Sequence, residues 1–192
     1  KQKRYEEQFK VSKEEIDKAN LNKVTVESFV SSCIKLRKFK KVLDFFDNTT
    51  FDWQSNAILL AFAGIAHQSF NDNVEETLRL NKKALEVDPD NVEIRWNLAL
   101  TQLRHGDLRE GIENYKVRFD WTEFPSPRRK FDVPKWHEGV NKYSRILIWS
   151  EQGIADEILF GTALNAFAEA FPNLIFETHF KLPEVMARSF PD

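Results

Sequence analysis

The residues best suited to chemistry cluster near the C-terminus, in "WSEQGIAD" (149–156) and "FETH" (176–179). Asp156 carries a carboxylate that, at hydrogen-bond range of an acceptor hydroxyl, acts as a general base. In the first turn of a helix the same carboxylate instead serves as a cap and complements the helix dipole. Glu177 and His179 are two residues apart, so a strand puts them on one side, either as a catalytic pair or as ordinary strand-end residues. Gly153 is the one glycine of its turn, and no G-x-G-x-x-G is present, so a dinucleotide fingerprint is absent. His67, His105, His137 and His179 have no ligand spacing with Cys33 or with carboxylates, which predicts no metal. No cofactor is implied. "PRRK" (127–130) has the chemistry to meet a phosphate or a carboxylate, although a solvated turn is the simpler reading.

Regular elements must position these groups. "RILIWS" (145–150) is an apolar, β-forming run expected to be a strand buried on both faces. A tight turn follows, then a helix over 157–171, a strand over "NLIFETH" (173–179) and a helix from 183. That order is a βαβα unit with a parallel strand pair. Ligands of such units bind at the carboxyl ends of the strands, beside a helix N-terminus. Glu151, Gln152, Gly153 and Asp156 occupy that place after the first strand, and Glu177 and His179 after the second.

Upstream, the sequence repeats. Asn73 and Asp107 are 34 residues apart, each followed three residues later by a glutamate, Glu76 and Glu110. Both pairs read as capping boxes. Leu78/Ile112 and Leu85/Phe119 keep the same offset, and Leu78, Leu85, Leu98, Ile112 and Tyr115 are expected in the core. "AFAGIAHQS" (61–69) and "NLALTQLRHG" (97–106) put small residues where paired helices touch. A third, degenerate pair is expected over 24–50, with Phe29, Val30, Val42 and Phe46 inward. A lead-in helix starting at a Ser12–Glu15 box precedes it. Stacked helix pairs make a concave groove in which a peptide or partner helix docks. His67, Arg95, Asn97, Thr101 and Arg104, from the first helices, are its candidate lining and are not expected in the core. The segment 120–143 holds three prolines but also Trp121, Phe124, Phe131 and Trp136, so it reads as an ordered strap against the last repeat.

Composition narrows the classes. Apolar residues make up 42% and charged residues 30%, which is ordinary for a globular chain. A net charge of −2 gives no global field for nucleic acid or an acidic membrane. The longest uncharged apolar stretch, "AILLAFAGIA" (57–66), is too short to span a bilayer. The single Cys33 forbids an intrachain disulfide and suits a cytoplasmic location.

The 34-residue period, with Ala84, Pro89, Leu98, Ala99, Gly106, Asp107, Gly111 and Tyr115, resembles the tetratricopeptide repeat. Gly111 departs from that pattern, which prefers Ala there. "GDLREGIENYKVRFDW", "VPKWHEG", "RILIWSEQGIADEILFGT" and "LIFETHFKLPEVMARSFPD", in that order, resemble tetratricopeptide proteins with a C-terminal glycosyltransferase-like domain of the O-GlcNAc-transferase, GT-B type. The resemblance covers roughly residues 60–192. It implies a mainly α fold: a tetratricopeptide-repeat helical solenoid followed by a partial Rossmann-like βαβα unit. The expected segments are 1–23 (lead-in helix), 24–119 (repeats), 120–143 (strap) and 144–192 (the start of a glycosyltransferase lobe). In the family the first lobe faces the acceptor and the second holds the nucleotide sugar. Glu151, Gln152, Gly153 and Asp156 map onto the family's turn, and Ala155 stands where the family carries a second glycine, a change that opposes a positive φ there. The resemblance implies that the chain is a fragment, inactive alone, of an enzyme that transfers sugar. A purely tetratricopeptide scaffold with a degenerate α/β tail is the alternative. Partners expected are a protein or peptide in the groove and a second copy paired through 144–192.

Overall fold

The computed structural model describes residues 2–190. Residues 1 and 191–192, at the ends of the first and last expected segments, lie outside the described residues. The fold is mainly α, with one two-stranded parallel sheet among the described residues. The chain divides into two compact units, Lys1–Thr122 and Glu123–Asp192, so the boundary falls inside the expected strap.

The first unit is a succession of helices: α1 (Gln2–Asp17), α2 (Lys23–Lys35), α3 (Phe39–Asn48), α4 (Ala57–Asn71), α5 (Val74–Val87), α6 (Val92–Arg104) and α7 (Leu108–Tyr115), ending in a 3-10 turn, Lys116–Asp120. Each helix packs on its chain neighbour, and α2 also meets α4. Asparagines start four of these helices, α2, α4, α5 and α6. Asn22 Oδ1 accepts from Thr25 N–H (3.0 Å), Asn56 Oδ1 from Ile58 N–H (3.0 Å) and Asn91 Oδ1 from Ile94 N–H (3.1 Å). These caps of α2, α4 and α6 stand 34 and 35 residues apart. Each gives the helix start an acceptor for otherwise orphaned N–H groups.

The expected boxes fare differently. Asn73 Oδ1 accepts from Glu76 N–H (3.1 Å), but Glu76 turns to Arg79 and does not reach back. At α7 the box is absent. Asp107 makes no cap, because Gln102 Nε2 donates to Glu110 (2.9 Å) and Asp107 (3.4 Å). Ser12 is not a cap either. It lies buried inside α1, with its hydroxyl 2.7 Å from the Gln8 carbonyl. α1, within the expected lead-in segment, packs on α2, with Gln8 Nε2 donating to Ser28 Oγ (3.1 Å) and Phe9 stacked on Phe29.

A continuous core runs through α2 to α6, with Val26, Val30, Val42, Leu59, Leu60 and Leu80 among its members. Ala63, Gly64 and Ala66 are buried in α4, and Gly64 O lies 3.1 Å from Thr77 Oγ1 of α5. Gly111 has a packing reason: a Cβ there would sit 2.9 Å from the Leu103 side chain. Leu98 is buried as expected, whereas Ile112 is 57% exposed. α7 presents Gly111 to α6, which turns Ile112 and Leu108 outward.

In the second unit, β1 (Ile146–Trp149) pairs in parallel with β2 (Leu174–Glu177), and Trp149 is the register partner of Glu177. The strands are not buried on both faces, since the register partners Leu147 and Ile175 remain exposed. The expected helix over 157–171 is two helices, α8 (Ile154–Gly161) and α9 (Leu164–Ala170). Gly161 is a weak helix former, and Thr162 Oγ1 bonds back to Leu159 O (2.7 Å), competing with the ladder. α10 (Pro183–Ser189) follows β2, with proline in its first turn, where its missing N–H costs nothing. Of the strap, Trp121 belongs to the first unit, stacked on Trp96, while Trp136 packs on Phe167 and Phe171 of the second.

Candidate functional site

The carboxyl ends of β1 and β2 gather most of the expected site residues. β1 ends at Trp149, and the chain turns through Glu151 and Gln152 into α8. Gln152 holds the left-handed conformation (φ 64°), and its N–H donates to Ser126 Oγ (2.6 Å). The positive φ thus falls on Gln152 and not on Ala155, which lies inside α8, so an alanine there introduces no strain. Gly153 is the N-cap, so α8 begins three residues before the expected start.

Asp156 is drawn into that cap. Its Oδ2 accepts from Gly153 N–H at 3.1 Å. The capping role is the one the structure displays, and this bond opposes a swing toward a substrate. Glu157, the next residue, is a carboxylate at this place that no sequence pattern singles out. It is buried, and it accepts from the Thr178 hydroxyl and from His179 N–H (3.0 and 3.1 Å). A buried carboxylate needs such donors. Here they tie the first turns of α8 to the chain leaving β2.

Glu177 and His179 are not a pair. β2 ends at Glu177, so strand alternation does not extend to His179. Arg129 takes Glu177 in a two-pronged ion pair, one prong at 3.0 Å, that holds the Glu177 carboxyl below the usual carboxylate range. His179 keeps its backbone on Glu157, its Nδ1 3.3 Å from Lys181 N and its ring against Phe180. Arg129, though exposed, is committed to specific partners. Its guanidinium lies over Phe131 (4.9 Å) and Trp149 (5.1 Å), linking the strap to the ends of both strands. A flat cation between aromatic faces and a carboxylate is a preferred arginine environment. The proline-flanked "PRRK" carried the signal for it. Among the described residues no group of acidic, histidine or cysteine side chains is arranged to hold a metal ion.

A separate cleft of about 620 Å³ opens between α9, β2 and α10, lined by Leu164, Leu174, Phe176, Met186 and Phe190 with Asn165 and Glu169 at hand. Beside it, α8 presents Ile158, Leu159 and Phe160 outward, Phe160 at 69% exposure.

The groove candidates on α4 and α6 separate into distinct environments. Thr101 is in the core at 1% exposure, a correction explained by its hydroxyl bonding Asn97 O (2.9 Å) on the buried side of α6. Arg95 is committed to Pro89 O (2.6 Å), and Arg104 to Asp72 (3.2 Å). His67 is half-buried, with Nδ1 buried and lacking a partner. Asn97 is half-exposed, and its side chain has no partner among the described residues.

No protein-family model matches the chain, and comparison with curated proteins and with solved structures returns no match. Among the described residues no helix is long and apolar enough to cross a membrane.

Proposed function

We propose that residues 1–122 are a tetratricopeptide-type helical-repeat solenoid that binds an extended protein segment. The observation that carries this reading is the recurrence of capping asparagines at 22, 56 and 91 on helices packed neighbour to neighbour. Such stacking makes a repeated surface along the first helices, and a chain in extended form can follow it. Asn97 is the groove residue left free to bond a peptide backbone. An array of short extended peptides, with positives measured by calorimetry, tests the proposal. Asn97→Ala should weaken a true groove ligand several-fold without lowering the melting temperature. Ligands indifferent to every exposed residue of α4 and α6 would remove the groove.

The second unit, in this reading, is the acceptor-side beginning of a Rossmann-like, glycosyltransferase-like lobe, with the donor sugar held on a different lobe. Its support is the βαβα order and the turn of Glu151, Gln152 and Gly153 at the strand ends. The 192-residue chain should therefore show no tight binding to UDP- or GDP-sugars. Micromolar binding in calorimetry would place the donor site here and overturn the assignment. The scaffold alternative is favoured by one specific observation: Asp156, Glu157 and Glu177 all serve structural contacts. The exposed apolar run of α8 also supports pairing of two copies through residues 144–192. Leu159→Lys with Phe160→Lys should then give a monomer by light scattering, and an unchanged mass would exclude this interface.

A further inference from the structure

The connection between α2 and α3 carries an unusual charge density. In "KLRKFKK" (35–41) five of seven residues are cationic, in a chain whose net charge is −2. Two of the five are engaged. Lys38 Nζ lies 3.9 Å from the centroid of the Phe9 ring, and Lys40 pairs with Asp44 at 2.7 Å. Lys35, Arg37 and Lys41 are exposed and have no side-chain partner among the described residues. Arg37 sits in the left-handed region (φ 56°).

Local stability accounts for only part of this. Lys35 lies in the last turn of α2 and Arg37 just beyond it, where cations complement the helix dipole. Lys41 lies in the first turn of α3, where a cation is disfavoured; that turn has no acidic residue, and Lys38 supplies no side-chain cap. Burial pushes the Cys33 thiol up to about 12, and the charges of Lys38 and Lys41 act against that rise.

We propose that the α2–α3 turn is a docking surface for an acidic, carboxylate-rich segment of a protein partner, bound by Lys35, Arg37 and Lys41. Charge complementarity selects the class, and the surroundings select a peptide. Nucleic acid bound through single-stranded bases needs aromatic platforms, but Phe9, Phe39 and Phe45 are packed against the core. A membrane surface favours apolar insertion beside the cations, yet no large apolar side chain is exposed between Val24 and Ile58. Three free cations on one turn match a few carboxylates and not a long row of phosphates. The site is independent of the groove, so failure of one leaves the other standing.

The test uses the full chain and a fluorescent hexaglutamate peptide, with hexaglutamine as the uncharged control, in anisotropy titrations at low and moderate salt. Hexaglutamate should bind, weaken as salt rises, and lose at least about tenfold in affinity with Lys35→Gln, Arg37→Gln and Lys41→Gln combined. A control variant with Lys82→Gln, Lys130→Gln and Lys135→Gln has the same net charge and should bind like the parent. All three substituted patch residues are exposed, so unchanged melting temperatures are expected for both variants. Absence of hexaglutamate binding at low salt, or equal losses in the two variants, overturns the proposal. So does tighter patch-dependent binding of a hexauridine RNA or of phosphatidylserine vesicles, which would assign the surface to that partner.

Discussion

The two units hold their apolar residues differently. In the first unit, helix after helix buries small and branched side chains against its neighbour, so one core passes from Val26 to Ile94. Among the described residues the α/β unit buries few large apolar groups, Ile146, Leu164, Leu182 and Met186, and it leaves Leu147, Ile175, Ile158, Leu159 and Phe160 outside. A helical repeat needs only its nearest neighbours to complete a core. A parallel sheet needs cover on both faces. The first unit is therefore locally complete, and the second presents surfaces suited to receiving other elements.

The largest effect that tests this contrast is a cavity. Leu60 is fully buried in α4, so Leu60→Ala should cost about 2–5 kcal/mol in urea melts. Leu159→Ala, on the open face of α8, should cost no more than about 0.5 kcal/mol. Similar losses for both would mean that α8 is covered in solution. A smaller change probes the repeat itself. Asn56 caps α4, and its Nδ2 donates to Glu27 of α2 (2.8 Å), so Asn56→Ala should lower stability by about 1–2 kcal/mol. Asn91→Ala, lacking the link to another helix hairpin, should cost less.

Hydrophobic spacing made a run of paired helices ahead of the α/β unit legible. The capping pattern placed the Asn73 cap correctly and misplaced two others. Asp107 has the right chemistry but loses its side chain to Gln102, a tertiary partner invisible to local pattern. Ser12 has the same difficulty, since a serine within a helix can bond back to the preceding turn as readily as it caps. In the α/β unit, strand order and the turn into α8 were readable from hydrophobic runs and one glycine. Glu157 was not, because what distinguishes it is burial and a partner 21 residues away, and "PRRK" flagged Arg129 without naming its partner 48 residues away.

The Arg129–Glu177 pair sharpens the comparison through pH. Glu177 is held below its ordinary carboxylate range by the hydrogen bonds from Arg129. A carboxyl depressed on folding adds stability above its unfolded value, and that stability is lost as pH falls through the folded value. Thermal melts of the parent and Glu177→Gln should thus differ at neutral pH, with the parent higher, and converge on acidification below about pH 4. The difference will be modest because the pair is partly exposed and screened. Melts that stay equally separated at every pH would mean that packing over Phe131 and Trp149, and not charge, holds the strap.

The smallest effect belongs to Arg104, on the last turn of α6. Its guanidinium reaches Asp72 at 3.2 Å, with both side chains more than half exposed. Exposed pairs gain little over hydrated ions, and salt screens what they gain. Arg104→Ala should therefore shift unfolding by no more than about 0.5 kcal/mol, and by less in high salt. Leu98, one and a half turns earlier on the same helix, is buried, and its truncation should cost about 2–5 kcal/mol. Measured together in urea, the two variants separate the exposed from the packed side of α6. A loss at Arg104 that approaches the loss at Leu98, and persists in salt, would show that the loop at Asp72 is a stabilising clasp between α4 and α6. Completeness of the first unit would then rest on its loops as well as on its core.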